Sequence, residues 1–135
     1  CIRDRYGIDL KTAFEGIKIS SGNSFVHETE SQVILNGSYD VGFTMDLVCK
    51  DVGLFDKLTN KYEIPAELSS LMLEIFQRGR EKLGDRALST SIIKLLEEKC
   101  NDKLRANGFP SYLKDKNQFV GYNGSSSAII VCIFE

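Results

Sequence analysis

The stretch from Gly42 to Leu58, GFTMDLVCKDVGLFDKL, constrains the fold more than any other part of the chain. At about 100° per residue it is a helix with two different faces. Met45, Val48, Val52, Phe55, Thr59 and Tyr62 recur at three- and four-residue steps and form one apolar stripe. Lys50 points almost the opposite way, and within about 60° of it lie Phe43, Asp46, Leu47, Gly53, Leu54 and Lys57. A helix facing plain water would carry only polar residues there. The pattern instead describes a helix covered on both sides, with one cationic head among apolar neighbours at a cleft. Gly53 agrees with this, because a glycine inside a helix costs roughly 1 kcal/mol relative to alanine and here marks a close approach of backbone or ligand. The competing reading is an ordinary ion pair between Asp46 and Lys50, four residues apart, contributing about 0.2–0.5 kcal/mol. The pattern alone leaves both open.

A chain of 135 residues is one domain by length, long enough to bury a core. With 42% hydrophobic and 27% charged residues it has an ordinary globular composition, which argues against disorder. The net charge of −2 argues against a nucleic-acid partner, since no basic patch is available to displace counterions from phosphates. No 18-residue apolar run occurs, so no membrane span is expected, and no segment has the layout of a signal peptide. The four cysteines, Cys1, Cys49, Cys100 and Cys132, are scattered without a C-x-x-C pair. Such spacing suits reduced thiols in a cytoplasmic protein better than a disulfide frame or a zinc site. The single histidine, His27, leaves little from which to build a metal cluster or proton relay, and reads as a surface residue. No catalytic and no metal-ligating residue is assigned.

The first helix opens at Gly7-Ile8-Asp9, with Asp9 as N-cap and Leu10, Ala13, Phe14 and Ile17 on its apolar face. Ser20 to Asn23 stops it and caps the next segment, a helix from Ser24 to Asn36 that ends at Asn36-Gly37-Ser38. After a loop from Tyr39 to Gly42 the central helix runs to about Tyr62. Ile64-Pro65 starts another, whose Leu68, Leu71, Met72, Ile75, Phe76 and Leu83 form the clearest amphipathic face in the chain, with Arg78, Arg80, Glu81 and Lys82 solvated. Gly84-Asp85-Arg86 breaks it, a last helix runs from Ser89 to about Leu104, and Gly108-Phe109-Pro110 ends the helical part. Strand signals are nearly absent before residue 118, after which Ala128 to Phe134 is a lone β-prone run. The expected fold is all-α, a bundle of about five helices. Its expected core is Met45, Val48, Val52, Phe55, Leu68, Leu71, Met72, Ile75, Phe76, Ile92 and Leu96. Cys1-Ile2-Arg3-Asp4-Arg5 fits no helix or strand pattern and resembles translated adapter sequence, so residues 1–6 read as a non-native leader to a fragment. Residues 7–113 are the helical domain and 114–135 a tail of unknown status. No phosphate-binding glycine motif and no nucleophile-and-base signature is present.

Gly42-Phe43 followed by Lys50-Asp51-Val52-Gly53-Leu54 resembles the cofactor-side motif of the β-hydroxyacid dehydrogenases, an F followed seven residues later by K-D-L-G-L-A. The likeness extends to Gly7-Ile8-Asp9, Ser20-Ser21-Gly22, Ile64-Pro65, the run Gly79 to Asp85-Arg86, and Leu104 to Pro110, covering roughly residues 7 to 113. Phe55 stands where that family has alanine, and Val52 where it has leucine. The resemblance implies the helical C-terminal domain of an enzyme similar in plan to 6-phosphogluconate dehydrogenase, with NAD or NADP held by an N-terminal Rossmann domain. That domain, together with the catalytic lysine of a K-x-x-N-N motif, would lie upstream of Cys1. Carried over singly, Lys50 would contact the cofactor near its nicotinamide end while Phe43 and Asp51 line the same cleft. Phe43 and Lys50, seven apart on a continuous helix, would face the absent domain together. The implied partners are that Rossmann domain, a small hydroxy-acid substrate and a second subunit, the isolated domain exposing the apolar surface they cover. The implied reaction passes a hydride between a β-hydroxy acid or its semialdehyde and NAD(P). This domain would orient the reactants and exclude water, and would not catalyse alone. The alternative is a catalytically silent member that serves as a helical oligomerisation scaffold.

Overall fold

The computed structural model describes residues 6–113. Five α-helices follow in order: α1 (Leu10–Lys18), α2 (Phe25–Asn36), α3 (Met45–Lys61), α4 (Glu67–Leu83) and α5 (Lys94–Cys100), the last preceded by a 3-10 helix, Ser89–Ile93. Among the described residues there is no strand, only a single antiparallel bridge between Thr44 and Leu88. The all-α expectation is borne out. The β-prone run Ala128 to Phe134 and residues 1–5 of the expected leader lie outside the described residues.

Local signals set the helix ends. The Asp9 carboxylate accepts from the Thr12 amide at 2.8 Å and satisfies an orphan donor of α1. Ser24 does the same for α2 through the His27 amide at 3.0 Å, one residue beyond the cluster expected to cap it. Gly37 closes α2 in the left-handed region at φ +92°, where a Cβ would also stand 2.6 Å from Nε of Arg105. Both constraints call for glycine there.

The largest packing unit is the antiparallel pair α3–α4. The Ser69 hydroxyl meets Oδ1 of Asp56 at 3.2 Å, Gly53 faces Leu73, and Gly79 faces Met45. A side chain at Gly79 would collide with Cδ1 of Ile92, so the 3-10 helix rests directly on the α4 backbone. Met45 and Val33 are fully buried, with Val48, Val52, Phe14, Leu35 and Tyr39 nearly so.

Three expectations are corrected. The central helix begins at Met45, not near Gly42, because its first amides are claimed by the segment that follows α4: Met45 donates to the Ala87 carbonyl at 2.8 Å and Asp46 to that of Asp85 at 3.1 Å. The last helix is broken into the 3-10 turn and the short α5, ending at Asn101 in the left-handed region rather than at Leu104. Of the expected core, Met45, Val48 and Val52 are buried, and Phe55, Met72, Ile75, Phe76 and Ile92 are half-buried. Leu68, Leu71 and Leu96 are exposed, and Tyr62 leaves the stripe for solvent. Among the described residues no element covers them.

Candidate functional site

Lys50 stands at the middle of α3 with its side chain half exposed, opposite the stripe that packs on α4. Its ammonium lies 3.1 Å from Oδ1 of Asp51, a buried carboxylate. Asp46 is engaged elsewhere: it accepts from the Thr44 hydroxyl and from Nη1 of Arg86 at 3.2 Å. The Thr44 bond, with a smaller contribution from Arg86, holds the Asp46 carboxyl below the usual carboxylate range. The i,i+4 pair between Asp46 and Lys50 is therefore not the arrangement adopted. Leu54, one turn on from Lys50, is exposed, and Leu47, one turn back, is half-buried.

Phe43 is placed differently from the expectation. It precedes α3 in an extended segment, and its carbonyl accepts from the Ser89 amide at 2.8 Å. The seven-residue helical spacing thus does not relate Phe43 to Lys50; the Thr44–Leu88 bridge sets where Phe43 goes. Asp51 was expected to line an open cleft but is nearly inaccessible. Its Oδ2 has no hydrogen-bond partner among the described residues, an uncommon state for a buried carboxylate oxygen. Among the described residues Gly53 marks no close approach of backbone, since a Cβ there would meet only Cδ1 of Leu73 at 3.7 Å, ordinary contact.

Other groups near the site offer little chemistry. Burial pushes the Cys49 thiol up, away from the thiolate form that attacks or binds metal. No cluster of three metal-ligating side chains occurs among the described residues. His27 is not the surface residue expected: Nε2 donates to the Phe14 carbonyl at 2.9 Å, Nδ1 accepts from the Ser31 hydroxyl at 3.3 Å, and the ring lies 4.8 Å from that of Phe14. It ties α2 to α1.

A buried polar cluster escaped the sequence reading altogether. Glu97, buried on α5, accepts from the Tyr39 hydroxyl at 3.0 Å, the Leu104 amide at 3.0 Å and Nη1 of Arg105 at 2.8 Å. Arg105 also donates to the Tyr39 hydroxyl, and the Tyr39 carbonyl accepts from Thr90 at 2.7 Å. Glu97, Tyr39 and Arg105 are up to 66 residues apart in the chain, so no local period could relate them. Their donors and acceptors satisfy one another, which makes the cluster a brace between the α2–α3 loop, α5 and the segment after it.

A family model described as NAD-binding of NADP-dependent 3-hydroxyisobutyrate dehydrogenase matches residues 1–96. The chain is 31% identical over 93 residues to 2-(hydroxymethyl)glutarate dehydrogenase of Eubacterium barkeri, covering 68% of this chain and 31% of that protein. It is 24% identical over 91 residues to L-threonate dehydrogenase of Escherichia coli K12, covering 67% of this chain and 30% of that one. It thus spans about a third of the length of the curated relatives it matches. Among the described residues no helix is long and apolar enough to cross a membrane. With a family model matched over most of its length and dehydrogenases among its relatives, the chain belongs to the 3-hydroxyisobutyrate dehydrogenase-like family of β-hydroxyacid dehydrogenases, whose cofactor is NAD or NADP.

Proposed function

We propose that this chain is the helical domain of a longer NAD(P)-dependent dehydrogenase that acts on a small β-hydroxy acid or its semialdehyde, and that it closes over the nicotinamide end of the cofactor. The observation that carries the reading is the Lys50–Asp51 pair: an accessible ammonium anchored by a buried carboxylate whose second oxygen lacks a donor. These residues suit a dinucleotide. Lys50 offers a cationic donor to its oxygens, while Asp51, buried beneath it, serves as the anchor of that cation. When bound, NAD(P) supplies the hydride chemistry. Lys50 supplies a fixed charge, Asp51 holds the ammonium in place, and Leu54 and Phe43 supply apolar surface that excludes water.

The proton transfer needs a further group: among the described residues no pair is placed as acid and base at Lys50. A Rossmann domain and an acid/base lysine in an adjoining part of the polypeptide complete the reading, as do a homo-oligomeric, cytoplasmic protein and an inactive isolated domain.

The test uses the full-length protein that contains this chain. Lys50→Ala should raise the cofactor KM or lower turnover, reducing kcat/KM roughly ten- to a hundredfold, since a charged hydrogen bond contributes about 1.5–3 kcal/mol. Lys50→Ala also leaves the buried Asp51 carboxylate without its ion pair, so the melting temperature should fall as well, and the kinetics are read at a temperature where the variant is folded. Wild-type kinetics for the variant would leave Lys50 an ordinary surface residue. A full-length protein without dehydrogenase activity, with its upstream lysine replaced, would leave the domain a scaffold.

A further inference from the structure

A second cation is held on the face of α3 that carries Lys50. Asp46 and Lys50 are four residues apart, so their Cβ atoms stand about 5–6 Å from one another on one side of the helix. Asp46 brings Arg86 to that side, with Nη1 of the guanidinium donating to its Oδ2 at 3.2 Å. The pair repeats the build of Lys50 and Asp51: an accessible cation held by a less accessible carboxylate. Here the arginine side chain is 77% exposed and the aspartate side chain 29%. The position is fixed by backbone, because the Asp46 amide donates to the Asp85 carbonyl and the Met45 amide to that of Ala87. Arg86, between those two carbonyls, is thereby tied to the first turn of α3, in the same stretch of chain whose Ser89 holds the Phe43 carbonyl.

The two arginines of this neighbourhood are employed differently. Arg80 sets Nε and Nη2 on the two oxygens of Asp85 at 2.8 and 3.1 Å, so its fork is filled. Arg86 gives Asp46 one N–H, and its guanidinium makes no other hydrogen bond among the described residues. Asp46 has little more to accept with, since its other oxygen takes the Thr44 hydroxyl. A guanidinium carries five donors in one plane, so Arg86 keeps a two-pronged edge turned to solvent. The group that matches such an edge is a planar carboxylate.

We propose that Arg86, steered by Asp46, binds a second carboxylate of the substrate, remote from the carbon that gives up the hydride, so that the substrate class is a hydroxy dicarboxylic acid. The proposal rests on the dehydrogenase reading given above and names its substrate class.

Steady-state kinetics of the full-length protein that contains this chain test it, at saturating NAD(P). The substrates are 2-(hydroxymethyl)succinate and the same molecule with its remote carboxylate replaced by a primary amide, of equal shape and no charge. The wild type should prefer the diacid in kcat/KM by roughly tenfold or more. Arg86→Gln should bring that ratio close to one, chiefly through KM. Arg86→Lys should keep part of it, because an ammonium supplies the charge without the fork. Asp46→Asn should lower the ratio less than Arg86→Gln does. A wild type that treats acid and amide alike, or that turns over only 3-hydroxypropionate, would overturn the proposal and leave the dehydrogenase reading standing, as would Arg86→Gln with an unchanged ratio. Equal losses on acid and amide with a raised cofactor KM would assign the guanidinium to a cofactor phosphate and overturn the substrate assignment. A protein that oxidises none of the three acids would overturn the dehydrogenase reading and this proposal with it.

Discussion

Lys50 and Asp51 form an ion pair of unequal halves: 3.1 Å apart, the lysine side chain is 45% exposed and the aspartate side chain 6%. Adjacent residues on a helix diverge by about 100°, so the lysine has to fold back along α3 to reach its neighbour. The carboxylate is committed to the interior whether or not the ammonium stays.

That asymmetry gives a prediction for Asp51→Asn. A buried oxygen without a donor costs about 1–3 kcal/mol of desolvation. Replacing the carboxylate by a neutral amide should therefore leave the isolated chain at least as stable in urea titration. In the full-length protein the same substitution should weaken NAD(P) binding, because Lys50 loses its anchor. A clear drop in the urea midpoint would make Asp51 a structural group.

Gly53→Ala is expected to stabilise the chain by about 0.5–1 kcal/mol, the helix-propensity difference. The space exists, since the added methyl meets Cδ1 of Leu73 at ordinary contact distance. The midpoint of chemical unfolding measures it. A loss of stability would mean that α3 and α4 sit closer than their side chains indicate.

Glu97→Ala should destabilise by about 3 kcal/mol or more, because it leaves the Tyr39 hydroxyl, the Leu104 amide and the Arg105 guanidinium with unmet donors. A double-mutant cycle with Arg105→Ala should show strong coupling. Additive effects would mean that the two residues act separately and that no shared network exists.

The pH dependence has two parts of opposite sign. Burial raises the Glu30 carboxyl above its ordinary value of 4.5, so folding binds a proton there that the unfolded chain releases. Stability from this group falls as pH rises from 4.5 through the folded value, and Glu30→Gln should raise stability at pH 7. Asp9, Asp46 and Asp85 are held below their ordinary 3.8, first by the Thr12 amide, the Thr44 hydroxyl and the Arg80 guanidinium respectively. What they contribute is present above 3.8 and lost as pH falls through their folded values. Thermal melts of wild type and Glu30→Gln from pH 3 to pH 8 should diverge toward neutral pH and converge in acid. Parallel curves would leave Glu30 without a titrating role.

The sequence by itself determined the features set by neighbours within about one helical turn. Asp9 can cap α1 because its carboxylate reaches an amide three residues on, and Gly37 can end α2 because only glycine enters the left-handed region without strain. The 3.6-residue period of Met45, Val48 and Val52 was enough to place them inside, and that of Lys50 to place it outside. The tertiary structure alone decided whatever depends on segments distant in the chain. Met45 and Asp46 take their amide partners from Ala87 and Asp85, which shortened α3 and moved Phe43 off it. Tyr39, Glu97 and Arg105 meet only because three connections fold onto one another. Leu68, Leu71 and Leu96 have the period of core residues and remain exposed. A hydrophobic period states that a face is to be covered, and the covering surface has to come from elsewhere in space.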